Sequence, residues 1–328
     1  MKYIVILGAT GNTGTYLTRY LLGQLDPRVY KVVGVGRRPE PSAYPAGASY
    51  LQGSITTAAL FDKLPQRDVH AIVMLAGRLP ASMEGYHPEQ YLIENTLSAL
   101  NVLEYARKVN ANRLLYAQTI REIGMHLDTG KPLTSDLPRG FSLKGDHAVY
   151  VISKNAAVDL IDHYQQEHGI TRFIFRLPTI YAYTRNEYFY VDGKKRMKGY
   201  RLFIRQAMAG DPIEMWGDPS RAHDVVYVKD LCQMFSNAIT VETCGGVYNV
   251  GTGLPVTLEE QIHGIVDVFS LPGRRSEIIR RPEMPSARSY TFDIADARRD
   301  LGYEPRYGYL DYLRDFKREM ERDTCDLR

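Results

Sequence analysis

Gly8, Gly11 and Gly14 stand three residues apart and follow the apolar run 3–7 without a break. A strand that enters such a loop and leaves it as a helix has few folds open to it. Glycine permits the sharp turn and lets the backbone come close to a ligand, and the helix start offers amide donors and partial positive charge. That combination is the phosphate-binding corner of a parallel α/β sheet. The spacing is G-x-x-G-x-x-G, looser than G-x-G-x-x-G. Thr10, Asn12 and Thr13 can add side-chain donors. The bland alternative is a glycine turn that only packs a helix on a strand, and the strand–loop–helix context favours a dinucleotide.

The rest of the first half repeats the unit. Apolar, β-branched runs at 3–7, 32–35, 71–75, 113–117 and 172–176 read as strands, and 15–25, 88–109 and 148–168 as helices. Such alternation implies parallel pairing through right-handed crossovers, hence an α/β fold with a doubly wound, Rossmann-type parallel sheet. After residue 177 the pattern changes. Residues 181–200 are crowded with Tyr, Phe, Lys and Arg without a clean period, and read as an irregular, substrate-facing loop region. Helices are expected at 201–209, 229–239, 258–269, 294–301 and 310–322, with returning strands at 225–227 and 247–250. Residues 1–178 and 223–251 are therefore expected to form the NAD(P)-binding domain. Residues 179–222 and 252–328 are expected to form a smaller, interleaved C-terminal substrate lobe.

Composition narrows the function by exclusion. The 328 residues carry 41 basic and 38 acidic side chains, a net charge of +3, with no long basic block to hold nucleic acid or a membrane surface. No stretch approaches the roughly 20 apolar residues needed to span a bilayer. Cys232, Cys244 and Cys325 are sparse and widely spaced, which suits reduced thiols in the cytoplasm and gives no metal pattern.

Two further patterns carry chemistry. The second strand ends in Gly36-Arg37-Arg38-Pro39, without the acid that would accept from a ribose 2′-hydroxyl. A guanidinium there offers a 2′-phosphate a bidentate cationic partner, so NADP(H) is the preferred cofactor and NAD(H) the secondary one. Two exposed loop arginines are the plainer reading. Farther on, Tyr150 and Lys154 stand four apart, on one face if 148–168 is helical. A phenol with a pKa near 10 is a poor acid–base group at neutral pH, and a neighbouring ammonium lowers it; Lys154 can also bond the nicotinamide ribose, so Tyr150 and Lys154 are expected on the cofactor side as well. The spacing is common by chance on exposed helices. Its position after a glycine loop and about four strands favours catalysis. Thr119 lies at the end of the preceding strand, where its hydroxyl would bond the substrate oxygen, or simply end the strand.

Taken together, these residues resemble the extended short-chain dehydrogenase/reductase family, in its NAD(P)-dependent epimerase/dehydratase branch. The resemblance covers nearly the whole chain. Gly8, Gly11 and Gly14 match its glycine loop, and Thr119, Tyr150 and Lys154 its catalytic threonine and pair. It further implies that Leu75, Ala76 and Gly77 line the cofactor, that Asn95 is the family's helix asparagine, and that Pro178 lies in the strand exit beside the nicotinamide. Later matches are Arg176 with Tyr181, Gly217-Asp218, the segment from Asp224 to Asp230, Tyr248-Asn249-Val250-Gly251 and Leu301-Gly302-Tyr303-Glu304-Pro305.

The departures are informative. Ile120 and Arg121 follow Thr119 where sugar-nucleotide 4,6-dehydratases carry Asp and Glu, so the acid pair for water elimination is missing. Ser54 replaces an adenine-contacting Asp, and His223 stands where an arginine often binds a nucleotide diphosphate. Tyr181-Ala182-Tyr183 replaces Tyr-Gly-Pro.

The resemblance implies hydride transfer at a carbinol or ketone carbon, most naturally of a nucleotide sugar, by an epimerase or a ketoreductase. Two alternatives stay open: an NADPH-dependent reductase of a small non-sugar carbonyl, and a dinucleotide-sensing protein without turnover. Arg121, Tyr183, Arg221 and His223, with His147 and Arg185, are candidates for the substrate side. A homodimer built on the helices at 92–109 and 149–164 is implied by the same resemblance, although core packing explains their apolar positions equally well.

Overall fold

The fold was analysed in a computed structural model, which describes residues 1–41, 44–145 and 147–325, and the side chains of these as far as residue 323. Seven parallel strands form the main sheet. In chain order they are β1 (Lys2–Leu7), β2 (Tyr30–Gly36), β3 (Ser49–Gln52), β4 (Val69–Met74), β5 (Arg113–Thr119), β6 (Thr171–Leu177) and, much later, Gly246–Asn249. The sheet order is Gly246–Asn249, β6, β5, β4, β1, β2, β3, so the winding reverses between β1 and β4. Ligands of open α/β sheets bind at that reversal, outside the carboxyl ends of the strands.

The inner strands carry continuous apolar central runs because both faces are covered. Alternate residues of β1 show it: Ile4 and Ile6 enter one buried cluster, Val5 and Leu7 the other. The first face is covered by α1 (Asn12–Gln24) and the later helix Val228–Thr240. The second is covered by one long helix and by α4 (His147–His168). The long helix runs as α2 (Pro88–Tyr91), a π-helical turn Leu92–Leu97, and α3 (Ser98–Lys108).

Four small two-stranded pairings lie outside the main sheet: Ile180–Tyr181 with Val226–Tyr227, Tyr188–Val191 with Lys194–Met197, Ile213–Trp216 with Ile278–Arg281, and Ala222–Asp224 with Pro255–Thr257. The helices Gly199–Ala209, Leu258–Phe269 and Tyr309–Cys325 pack in series beside them.

The segment expected to be irregular, 181–200, contains an antiparallel hairpin, Tyr188–Val191 paired with Lys194–Met197. Asp192 and Gly193 both adopt positive φ, 46° and 69°, as a two-residue turn between twisted strands requires. The hairpin docks on the loop after β4, where the Gly85 N–H donates to the Gly193 carbonyl at 3.2 Å. A Cβ on Gly193 would stand 2.7 Å from the Gly85 Cα, so the contact needs glycine. Strand β3, this hairpin and the short strands Ile213–Trp216, Ala222–Asp224, Pro255–Thr257 and Ile278–Arg281 are elements that the apolar periodicity does not show. Cys232 is buried and Cys244 exposed, both as free thiols, and the side chain of Cys325 lies outside the described residues. Among the described residues no helix is long and apolar enough to cross a membrane.

Candidate active site

The glycine corner is built as its spacing requires. Gly8 has φ +94°, and a Cβ there would stand 2.8 Å from the Ala76 nitrogen. A Cβ on Gly14 would fall 2.2 Å from the Gly8 carbonyl oxygen. The loop is pinned from both sides: Gly8 and Ala9 donate to the Val35 carbonyl of β2, and Leu75 and Ala76 donate to the Leu7 carbonyl of β1. Helix α1 begins at Gly11 with no side-chain cap and no acid in its first turn. Its amide donors are therefore left for an anion. The donor chemistry and the missing Cβ atoms fit a dinucleotide diphosphate. Leu75, Ala76 and Gly77 form the facing wall, and Gly77 packs so closely on Asn95 that a Cβ would meet its Oδ1 at 2.6 Å.

Thr10 lies against the end of β2, its Oγ1 2.5 Å from where a Gly36 Cβ would be. Asn12 and Thr13 open α1. Arg37 and Arg38 follow β2 directly and are exposed. Arg38 makes no ion pair among the described residues. The Arg37 Nη1 lies 3.1 Å from Glu94 Oε2, a partner no sequence pattern indicated. The second oxygen of Glu94 pairs with Arg78 Nη2 at 2.5 Å.

Thr119, Tyr150 and Lys154 converge at the carboxyl end of β5, and all three are buried. Burial pushes the Tyr150 phenol up to about 12, while a Thr119 hydroxyl interaction and the Arg121 charge pull the other way. Lys154 donates to the Ala117 carbonyl at 2.5 Å and stands 4.0 Å from the ring centroid of Tyr116. Burial draws its ammonium down to about 7, opposed by the Glu122 carboxylate. The tyrosine thus keeps its proton at neutral pH, and the groups pulling on its phenol are Thr119 and Arg121.

Behind this site lies a buried polar frame, of which Asn95, Arg176 and Asn249 carry the family resemblance while no sequence pattern singled out Gln118, Glu122 and Asn155. Gln118 accepts from the Thr119 backbone N–H at 2.9 Å and donates to Asn155 at 3.0 Å and to Glu122 at 3.2 Å. Glu122 in turn accepts from Arg176 Nε at 2.8 Å, and Arg176 donates to Asn249 Oδ1 at 2.9 Å. Asn95 does the same on the other side. It accepts from the Arg78 backbone N–H at 2.7 Å and donates to Ser153 at 2.9 Å, one residue before Lys154. Polar residues next to Thr119 and next to the family asparagine were the available signals.

The substrate-side candidates scatter. Arg121 alone is beside the phenol, and its backbone N–H donates to Thr119 Oγ1 at 3.3 Å. The Tyr183 hydroxyl donates to Asp323 at 2.8 Å, which also pairs with Arg185. Arg221 pairs with Asp128 and donates to the Ala287 carbonyl. His223 stacks on Tyr290 at 5.6 Å, and burial lowers its pKa, keeping it neutral. Pro178 follows β6 directly, and His147 opens α4.

The model of the NAD dependent epimerase/dehydratase family matches residues 4–251. The chain belongs to that family. A dTDP-glucose 4,6-dehydratase of Xanthomonas campestris is 24% identical over 280 residues, covering 79% of this chain and 75% of the relative. Among solved structures, a UDP-glucose 4-epimerase of Thermotoga maritima with UDP-glucose superposes with a TM-score of 0.78 at 18% identity, over 97% of this chain and 99% of the other. A UDP-glucuronic acid 4-epimerase of Bacillus cereus in complex with NAD gives 0.74 at 19% identity, over 98% of both. At these identities the structures establish the shared fold, and the family match covers the main sheet with its glycine corner and Tyr150–Lys154 helix.

Proposed function

We propose that this epimerase/dehydratase family member is an NAD(P)-dependent oxidoreductase that acts at a carbinol or ketone carbon of a nucleotide sugar, as an epimerase or a ketoreductase. The observation that carries the reading is the convergence of Thr119, Tyr150 and Lys154 beside a glycine corner shaped for a diphosphate. The bound dinucleotide supplies the hydride acceptor and donor. Tyr150 Oη holds the proton at neutral pH, gives it to the substrate oxygen on reduction and takes it back on oxidation. Thr119 orients that oxygen. Lys154, held by Ala117 and the Tyr116 ring, adds positive charge at the floor of the site. The epimerases among its structural neighbours, crystallised with UDP-glucose or with NAD, support the substrate class and a nicotinamide dinucleotide.

The lobe division proposed is 1–178 with 223–251 against 179–222 with 252–328. Gly246–Asn249 joining the main sheet and Val228–Thr240 packing on α1 support that division, while the pairs Ile180–Tyr181 with Val226–Tyr227 and Ala222–Asp224 with Pro255–Thr257 join the two lobes. NADP(H) is proposed over NAD(H) because β2 ends without an acid and with two arginines, a preference of at least about tenfold. A homodimer through the long helix and α4 is supported by exposed Leu92, Ile93, Leu97, Leu100 and Ile152.

The direct test is Tyr150→Phe. Turnover of the productive nucleotide sugar should vanish while nucleotide affinity stays within about twofold, since the phenol acts on the reacting oxygen alone. Retained turnover refutes the assignment. One observation favours a second reading, an NADPH-dependent reductase of a small non-sugar carbonyl: His223 is neutral and Arg221 is engaged by Asp128, so neither offers a free cation to a diphosphate. A panel of nucleotide sugars and simple ketones separates the two.

A further inference from the structure

Arg37 and Arg78 leave the sheet on opposite sides of β1. Arg37 is the first residue after β2, and Arg78 lies four residues past the end of β4. Between them is the glycine corner. One carboxylate joins them across it: Glu94 Oε2 lies 3.1 Å from Arg37 Nη1, and Oε1 lies 2.5 Å from Arg78 Nη2 and 3.1 Å from its Nε. The two arms differ. In the Arg78 arm two guanidinium nitrogens donate to one oxygen and the pair is largely shielded, with side-chain exposures of 19% and 16%, whereas Arg37 is 62% exposed. Asn95 fixes the geometry by hydrogen-bonding both the backbone N–H and the carbonyl of Arg78. An exposed, single-contact ion pair contributes little and opens readily, while the Arg78 arm keeps Glu94 in place.

We propose that Glu94 is a specificity-determining residue for the cofactor: the acid that β2 lacks, delivered from the helix after β4. It occupies the guanidinium that a 2′-phosphate would use. Arg78 retains Glu94 there, so a 2′-phosphate must displace the carboxylate from Arg37 before it can use that guanidinium. A ribose 2′-hydroxyl makes no such claim on Arg37. Glu94 therefore narrows the advantage that Arg37 and Arg38 give NADP(H). The inference rests on the reading that a dinucleotide binds at this corner.

The test is a fluorescence titration of the full-length protein with NADPH and NADH, in wild type, Glu94→Gln, Arg37→Ala and the double variant. Glutamine keeps the shape and removes the charge. Glu94→Gln should raise the NADPH-to-NADH affinity ratio about threefold to fivefold, the size of one exposed ion pair that no longer has to be given up. In the Arg37→Ala background the same change should move the ratio less than about twofold, because the effect runs through Arg37. Glu94→Asp, too short to reach both arginines, should raise the ratio in the same direction and covers the case that glutamine upsets the fold. An unchanged ratio in both Glu94 variants, or an effect that persists without Arg37, overturns the inference. If wild type binds neither nucleotide, the cofactor reading itself falls, and the inference with it.

Discussion

Lys154 makes a prediction that needs no substrate. Its ammonium is 6% exposed, and burial draws its pKa from 10.5 down to about 7. A lysine freed by unfolding returns to its ordinary value, so the native state binds fewer protons between pH 7 and 10.5. Below pH 7 both states are charged, and the native state carries the whole cost of the buried charge. That is roughly 5 kcal/mol for a displacement of this size. Above pH 10.5 both states are neutral and the cost is gone. In Lys154→Met the side chain keeps its length and loses the charge. The variant also loses the hydrogen bond to the Ala117 carbonyl, about 1 kcal/mol and independent of pH. Cofactor-free Lys154→Met should therefore be more stable than wild type at pH 7, and the gap should close at about 1.4 kcal/mol per pH unit above it. Between pH 7 and 9.5 the closure amounts to about 3 kcal/mol. Tyr150 titrates about two units above its ordinary 10 and stays outside this window. Denaturant unfolding of both proteins at several pH values measures the difference directly, and the other titrating groups largely cancel in it. Parallel pH profiles would refute a depressed lysine. A gain in stability that comes with lost turnover would mark a catalytic group held at a structural cost.

Other outcomes follow from the same geometry. Gly14→Ala has no room beside the Gly8 carbonyl and should lose about 2 kcal/mol of stability and most nucleotide affinity, read by thermal melts and titration. Arg37→Ala/Arg38→Ala should bring NADPH and NADH affinities to within about twofold of each other, and a preserved preference would move the 2′-phosphate site elsewhere. Arg121→Gln removes a charge that draws the Tyr150 phenol down, so the pH–rate limb set by that phenol should move upward. Leu97→Arg, at a side chain 56% exposed, should convert a dimer to a monomer in light scattering, and a monomeric wild type would refute the interface.

The sheet was legible because strands buried on both faces carry apolar central runs, as residues 3–7, 71–74 and 114–117 do. The edge strand β3 was not, since Ser49–Gln52 is short and only half covered and so shows no apolar run. The hairpin at 188–197 carries lysines on its exposed strand, which hides the alternation. Its Asp192-Gly193 turn is nevertheless a strong short hairpin signal, set between strands that lack the alternation. At the site, Thr119, Tyr150, Lys154 and the glycines announce themselves by local spacing. The Arg37–Glu94 pair joins residues 57 apart, and nothing in either local pattern points to the other.

The same distinction decides how to weigh Glu122. With dehydratases among the relatives, a carboxylate three residues after Thr119 invites the reading of an elimination acid displaced by one position. The geometry argues otherwise. Glu122 is buried, and its Oε1 accepts from Arg176 at 2.8 Å while Oε2 accepts from Gln118 at 3.2 Å. Removing it from that frame would leave a guanidinium on β6 buried without its countercharge, a loss of about 3 kcal/mol or more. It would also loosen Gln118, which holds the Thr119 backbone. The positions where a dehydratase carries its acids hold Ile120 and Arg121, and Arg121 brings positive charge to the phenol. Under the proposed function such a site interconverts alcohol and ketone through Tyr150, and neither Ile120 nor Arg121 supplies an acid to expel water.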